Sequence, residues 1–349
     1  MKLGVVAEDS LQQHRLRSAM EDFGCEVVCF NPEVLRDQGL DQHVSAWLVD
    51  LREDDTLLDA FFDIEQPVLL GFEAAPTKQH KDYPKWEKRL YGKLKQLIGT
   101  DLIHEKNAAS LNLIEKSSAV TPALSLPQNI NINPGAKAKY IWTLGSSLGG
   151  PEAVKEFLDA LPDGLPVAFV YGQHIDAQFV PVLARVLARH SHFKLMVASD
   201  GMSLHNGEVL IVPAEREVTF MAGQVKVCEH EWPGPYGPSV DQLILNMQRA
   251  FKNSGVILFS GMGNDGAEAV QSLIKNECSE AIQIWAQSSE SCASSAMPDS
   301  SRETGAVNFS GAPRELAEHL VKYIQTQELN IQHVQDKSMG NKGDTTCSK

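Results

Sequence analysis

Short apolar runs of strand length alternate with amphipathic stretches of helical length along most of this chain, and that alternation confines it to α/β folds with parallel sheets. Residues 1–99 carry LGVVA (3–7), LQQHRLRSAMEDF (11–23), CEVVCF (25–30), AWLVD (46–50), TLLDAFF (56–62) and PVLLGF (67–72). Leu11, Leu16, Ala19, Met20 and Phe23 recur at the spacing of one helical face, and Gly24 supplies a stop. This segment reads as a small doubly wound domain. Residues 100–138 are rich in Asn, Ser, Ala and Pro without a sustained period, and read as a linker. Strong patterning returns with YIWTLG (140–145) and GGPEAVKEFLDAL (149–161), so a second domain is expected over 139–325. It continues through PVAFVYGQH (166–174), FVPVLARVLARH (179–190), SVDQLILNMQRAFK (239–252), GVILFS (255–260) and AEAVQSLIK (267–275). The Gly-punctuated stretch 198–227 predicts β-hairpins inserted into a second α/β sheet. Residues 326–349 are polar and aperiodic and are expected to be disordered.

A length of 349 residues suits two domains and a connector, and 43% hydrophobic with 22% charged residues suits folded ones. The formal net charge of -14, with no Lys/Arg run to oppose it, argues against nucleic acid partners and membrane insertion. The cysteines (Cys25, Cys29, Cys228, Cys278, Cys292, Cys347) form neither a C-x-x-C pair nor a disulfide framework, as suits a reducing compartment. MKLGVVAEDS turns acidic where a secretory leader would be apolar, and no stretch reaches about 18 uninterrupted apolar residues. A soluble, cytoplasmic protein is expected.

Strand YIWTLG runs into Gly145-Ser146-Ser147-Leu148-Gly149-Gly150 and then a helix near Pro151. A serine on such a turn lies at a strand's carboxyl end, beside helix N–H groups able to stabilise an oxyanion. G-S-S-L-G fits the G-x-S-x-G nucleophile elbow, yet the same turn could hold a nucleotide phosphate or be a plain tight turn. The spacing G-x-G-x-x-G is absent. His174 ends the next strand and Asp265 follows GVILFS, so Ser147, His174 and Asp265 each follow a strand of one parallel sheet. A serine hydroxyl needs a base, and the base works best when a carboxylate fixes its tautomer. The chain order Ser, His, Asp differs from that of α/β-hydrolases, whose arrangement would require His319, a residue on a helical pattern.

At this point LGSSLGGPEAV, GQHIDAQFVPVLARVL, ASDGMSLHNGEVLIVPA, GPSVDQLI, GVILFSGMGNDGAEAV and AQSSESCASSAMP, in that order, resemble the catalytic domain of the chemotaxis protein-glutamate methylesterases. The resemblance implies Ser147 as nucleophile, His174 as general base and Asp265 as its orienting acid. It also implies an oxyanion surface near Met262 and after Ser147, and hydrolysis of glutamyl γ-methyl esters on chemoreceptors, with glutamine deamidation in some members. No cofactor is implied for the chemistry. Leu148 stands where the family usually has Thr, Ser146 where it has Ala, and Glu217 where a His commonly follows the hairpin.

The family places a phosphorylatable receiver before the esterase, and residues 1–99 resemble a shortened, divergent one. By that resemblance Glu8, Asp9 and Asp50 hold Mg²⁺, Asp50 accepts a phosphoryl group from a chemosensory histidine kinase, and Lys93 contacts it. The switch hydroxyl expected after PVLLGF is replaced by Glu73, Ala74 and Ala75, leaving Thr77 as the nearest candidate. The divergence resembles the branch serving pilus-linked chemosensory systems. A different class is a non-catalytic adaptor that keeps the esterase fold.

Overall fold

The computed structural model describes residues 1–340 apart from positions 24, 41–42, 53–54, 71–72, 79, 81, 99–110, 112–113, 115–121, 131–132, 134, 235, 252–253 and 276–281. Near the amino terminus β1 (Lys2–Ala7), β2 (Glu26–Phe30), β3 (Ala46–Asp50) and β4 (Val68–Leu69) form a parallel sheet in the order β2-β1-β3-β4. Alternate residues serve opposite faces, as a pleated strand requires. Leu3, Val5 and Leu48 meet Leu16, Met20 and Phe23 on one side, while Val6, Trp47 and Val49 meet Leu35, Leu57 and Phe61 on the other. Burial of both faces is what makes this unit doubly wound. The helix Ser10–Asp22 starts where Asp9 accepts from the N–H groups of Leu11 and Gln12, and it ends at Phe23; the stop expected at Gly24 lies outside the described residues.

The second sheet is larger. Seven parallel strands run β13-β12-β11-β5-β6-β8-β7, comprising β5 (Tyr140–Ser146), β6 (Val167–Gln173), β7 (Lys194–Val197), β8 (Glu208–Ile211), β11 (Gly255–Leu258), β12 (Ile284–Gln287) and β13 (Phe309–Gly311). Helices Gly150–Ala160, Val180–Ala188 and Pro313–Gly340 cover the face bearing Leu144, Phe169, Ile257 and Trp285. Helices Val240–Ala250, Ala267–Lys275 and Ala296–Glu303 cover the face of Val256, Leu258 and Ile284. Both faces are therefore apolar, and the sequence reads as continuous apolar runs.

From β5 the chain winds outward through β6, β7 and β8, then returns to the opposite side of β5 as β11. A parallel sheet that reverses direction in this way opens a crevice at its carboxyl edge beside the central strand.

The hairpin insertion expected within 198–227 is present, shorter than read, and two further expectations are revised. In the stretch 198–227 only β9 (Val218–Met221) and β10 (Gln224–Val227) form a hairpin, joined through Ala222-Gly223; β8 is a sheet strand because Val209, Leu210 and Ile211 are buried between layers. Described residues of the segment read as a linker lie on the second core: Leu111 and Ile130 are buried there, and Leu124 N–H donates to Ala160 O at 2.8 Å. Beyond residue 325 the helix Pro313–Gly340 continues where disorder is expected. Its apolar residues Leu316, Leu320 and Ile324 seat it, and Glu328 accepts from Tyr140 Oη at 2.8 Å and Lys139 Nζ at 2.9 Å. Residues 341–349 lie outside the described residues. Among the described residues no helix is long and apolar enough to cross a membrane.

Candidate active site

Ser147 follows β5 directly, at the entrance to helix Gly150–Ala160. Gly149 occupies the left-handed region at φ 74°, and a Cβ on Gly150 would fall 2.3 Å from Ser146 Oγ, so this sharp turn requires both glycines. The Ser147 backbone is clamped: its N–H donates to Ser260 O at 3.0 Å, while its carbonyl accepts from Gly150 N–H at 3.0 Å and Gln173 Nε2 at 2.8 Å. Its side chain is the opposite case. Ser147 is 0% exposed, and its Oγ has no hydrogen-bond partner. An orphaned buried hydroxyl costs about 1–3 kcal/mol, a condition Ser147 shares with Tyr83, Thr143 and Ser300; its place at the end of the central strand is what sets it apart.

The neighbouring serine has partners on both sides. Ser146 Oγ bonds Tyr171 Oη at 2.8 Å and Gln173 Oε1 at 2.5 Å, and Tyr171 Oη donates to the same Oε1 at 2.6 Å. Its hydroxyl is consumed in a buried network behind the turn.

His174 leaves the end of β6, the strand paired with β5, and its N–H donates to Ser146 O at 3.1 Å. Its Nε2 lies 2.9 Å from Asp265 Oδ2, and its ring stacks on Tyr236 at 4.4 Å and 9°. Asp265 sits in the turn after β11, on the other side of β5. The three residues thus come from three adjacent central strands at the switch point. Asp265 also accepts from Val240 N–H at 2.8 Å and Asp241 N–H at 2.9 Å, two first-turn groups that helix Val240–Ala250 cannot satisfy internally. Burial pushes the Asp265 carboxyl up, but the hydrogen bond and charge of His174, with the Asp241 and Val240 N–H groups, hold it below its ordinary value. An ionised carboxylate is the form that orients and stabilises an imidazolium.

Other residues support this centre, and the motifs that contain them give no sign of their roles. Ser260 Oγ donates to Leu148 O at 2.7 Å, fixing the residue after the serine. Asp241 accepts from Ala269 N–H at 2.7 Å, tying helix Val240–Ala250 to helix Ala267–Lys275; burial and the charge of Asp265 push its carboxyl up to about 7. His319 takes no part. It stacks on Phe309 at 3.7 Å and meets the edge of Trp285, as a half-buried packing ring. Glu217 accepts from Gln242 Nε2 at 3.1 Å and Asn246 Nδ2 at 2.8 Å, holding the hairpin on helix Val240–Ala250.

The N-terminal unit lies against this crevice. Tyr83, Trp86 and Leu90 of helix Tyr83–Ile98 share one apolar cluster with Leu148 and Met262. Leu148 thereby belongs to the apolar cluster that the covering helix shares. His174 is 4% and Asp265 3% exposed, so the centre is closed to a macromolecule in this arrangement.

The metal site expected in the N-terminal unit does not assemble. Asp9 directs both oxygens to its helix cap, and Glu8 accepts from Arg52 N–H at 3.1 Å and pairs with Arg52 Nε at 2.9 Å. Asp50 stays half-buried at the end of β3. Among the described residues no group of three or more His, Cys, Asp or Glu side chains is arranged to hold a metal ion. Lys93 lies well inside helix Tyr83–Ile98, lining a small pocket with Glu73, Trp86 and Arg89. The residues present do not fit Mg²⁺.

Residues 142–320 match the family described as CheB methylesterase. A protein-glutamate methylesterase/protein-glutamine glutaminase of Anaeromyxobacter dehalogenans is 30% identical over 230 residues, covering 61% of this chain and 63% of that protein. The chain spans about three-fifths of the length of several such curated relatives, including 58% of one from Bacillus subtilis. One from Myxococcus xanthus is 28% identical over 332 residues, covering 87% of this chain and 91% of that protein. The solved catalytic domain of Thermotoga maritima CheB methylesterase superposes with a TM-score of 0.48 at 24% identity, covering 54% of this chain and 98% of that one.

Proposed function

This chain belongs to the CheB methylesterase family, and on that premise we propose that it is a serine hydrolase that cleaves glutamate γ-methyl esters on chemoreceptors. The observation that carries this reading is the His174–Asp265 pair, its carboxylate pinned by two helix N–H groups, on the strands that flank β5, at whose end stands the buried Ser147 hydroxyl without a partner. Ser147 Oγ attacks the γ-carbonyl carbon as His174 takes the hydroxyl proton. The tetrahedral oxyanion forms in reach of the N–H groups of the turn after β11 and of helix Gly150–Ala160. Methanol departs with the proton returned by His174, leaving an acyl-serine, and water activated by the same imidazole releases glutamate. Hydrolysis of a glutamine carboxamide follows the same steps with ammonia as leaving group, in keeping with the glutaminase in the relatives' names. The chemistry requires only these side chains and water. A phosphoryl switch at Asp50 has weaker support, because Asp9 and Glu8 are engaged elsewhere.

The test is methanol release from methylated receptor by the full chain. Ser147→Ala should lower turnover by ~10⁵-fold or more, as nucleophile loss does in serine hydrolases. Ser146→Ala should leave turnover within about tenfold while lowering stability by about 1–3 kcal/mol, since buried partners lose a hydrogen bond. Receptor binding without methanol release would favour an adaptor.

A further inference from the structure

Gln173, the last residue of β6, is 1% exposed, and both donors and both acceptor positions of its amide are taken. Its Nε2 donates to the carbonyl oxygen of Ser147 at 2.8 Å and to that of His174 at 3.1 Å. Its Oε1 accepts from Ser146 Oγ at 2.5 Å and from Tyr171 Oη at 2.6 Å. Two carbonyls on one side and two hydroxyls on the other leave a single orientation for the amide. Burial raises the Tyr171 hydroxyl above its ordinary value, so it stays protonated and able to donate. The network is also tightly enclosed: a Cβ on Gly150 would fall 2.5 Å from Gln173 Oε1.

The backbone groups that Gln173 holds belong to the nucleophile and to its base. The pairing of β5 with β6 ends at Ser146 and Gln173, so beyond that pair the sheet ladder no longer relates Ser147 to His174. Their side chains do not relate them either, because Ser147 Oγ has no hydrogen-bond partner. The amide of Gln173 bridges the two residues just past the point where the ladder stops.

We infer that Gln173 is a positioning residue for the reaction: its amide sets the separation and facing of Ser147 and His174, and Ser146 and Tyr171 hold that amide in the orientation that does so. The inference rests on the hydrolase reading above. It gives the serine at position 146 a part in holding Gln173 and none in the attack. Proton transfer from Ser147 to His174 depends steeply on their separation, so loss of the bridge acts on turnover more than on substrate binding.

The experiment measures methanol release from methylated receptor by the full chain, from about pH 6 to about pH 9, as the ratio of each variant to the wild type. Gln173→Glu has the same size, but an ionised carboxylate has no proton for either carbonyl and repels both, whereas the protonated form donates one O–H. At high pH its kcat should be about 100-fold below that of the wild type with KM within about twofold, the effect of a misplacement of about 1 Å, and the deficit should shrink as the pH falls. Gln173→Met keeps the length without the donors and should show a comparable deficit at every pH. Ser146→Ala and Tyr171→Phe each leave one donor on Oε1 and should cost less than about tenfold singly, while the double variant should lose more than the product of the two. Thermal melts at each pH verify folding. A Gln173→Met chain that turns over within about twofold of the wild type would overturn the inference. So would a Gln173→Glu deficit that stays constant with pH, or one that appears only where the melt shows unfolding. Absence of methanol release by the wild type would sink the hydrolase reading itself, and the inference with it.

Discussion

At the carboxyl edge of the seven-stranded sheet Asp265 meets the ring of His174 and the N–H groups of Val240 and Asp241, whereas at the same edge of the four-stranded sheet Asp9 caps its own helix and Glu8 pairs with Arg52. Both acids follow a strand, and both accept from helix N–H groups. The difference lies in whose helix supplies them. Asp9 serves the helix that continues from it, which is a local cap. Asp265 serves a helix beginning 25 residues earlier in the chain, so its carboxylate is carried across the crevice to a histidine from another strand. What an acid at a strand end can do depends on what the neighbouring elements aim at it, and its position alone does not confer a role.

The largest expected effect tests this contrast directly. Asp265→Asn should lower methanol release by ~10⁴-fold, because a neutral amide neither holds the required tautomer nor stabilises the imidazolium. Asp50→Ala in the same assay should change basal release by less than about threefold, having no contact with the reacting groups. Comparable losses from the two substitutions would break the contrast.

A smaller effect concerns the seam between the two units. The Glu87 carboxyl has an ordinary value of 4.5 and is pushed up to about 7 by burial first, with Asp22 adding to the rise and Gly263 N–H, Lys78 and Tyr83 opposing it. The docked state thus favours the protonated form. Its contribution to docking is fully present below pH 4.5 and is lost as the pH rises through about 7, a change of up to roughly 3 kcal/mol. Hydrogen exchange of helix Tyr83–Ile98, corrected for the intrinsic pH dependence of exchange, should be faster at pH 8 than at pH 5 in the wild type. Glu87→Gln should remove that dependence, and an equal pH response in the two proteins would sink the assignment to Glu87.

The smallest effect returns to the other acid. Asp9→Ala should lower unfolding stability by about 1 kcal/mol, the worth of an N-cap, and Asp9→Ser should recover most of it. Urea unfolding with and without Mg²⁺ should give the same midpoint for the wild type. A Mg²⁺-dependent rise abolished by Asp9→Ala would restore the metal site and erase the difference between the two edges.

Strands, helices and their alternation were legible in the sequence because they rest on the periodicity of nearby apolar residues, which a chain carries locally. That was enough to give two parallel α/β sheets and to place Ser147, His174 and Asp265 at the ends of β5, β6 and β11. It misled where an apolar run had two possible fates, as with β8, and where distant contacts order a polar segment, as Glu328 does through Tyr140 and Lys139.

What only the tertiary structure decided is how each polar atom is spent. The G-x-S-x-G spacing marks Ser147 over Ser146, but only the folded chain shows that Tyr171 and Gln173 claim one hydroxyl and leave the other without a partner. Tyr236 under the imidazole, Asp241 behind Asp265 and Glu87 at Gly263 follow no motif or period. The physical reason is separation along the chain: His174 and Asp265 are 91 residues apart, and Glu87 and Gly263 are 176. A hydrogen bond acts over about 3 Å, so the folded chain alone determines which donors and acceptors come within its range.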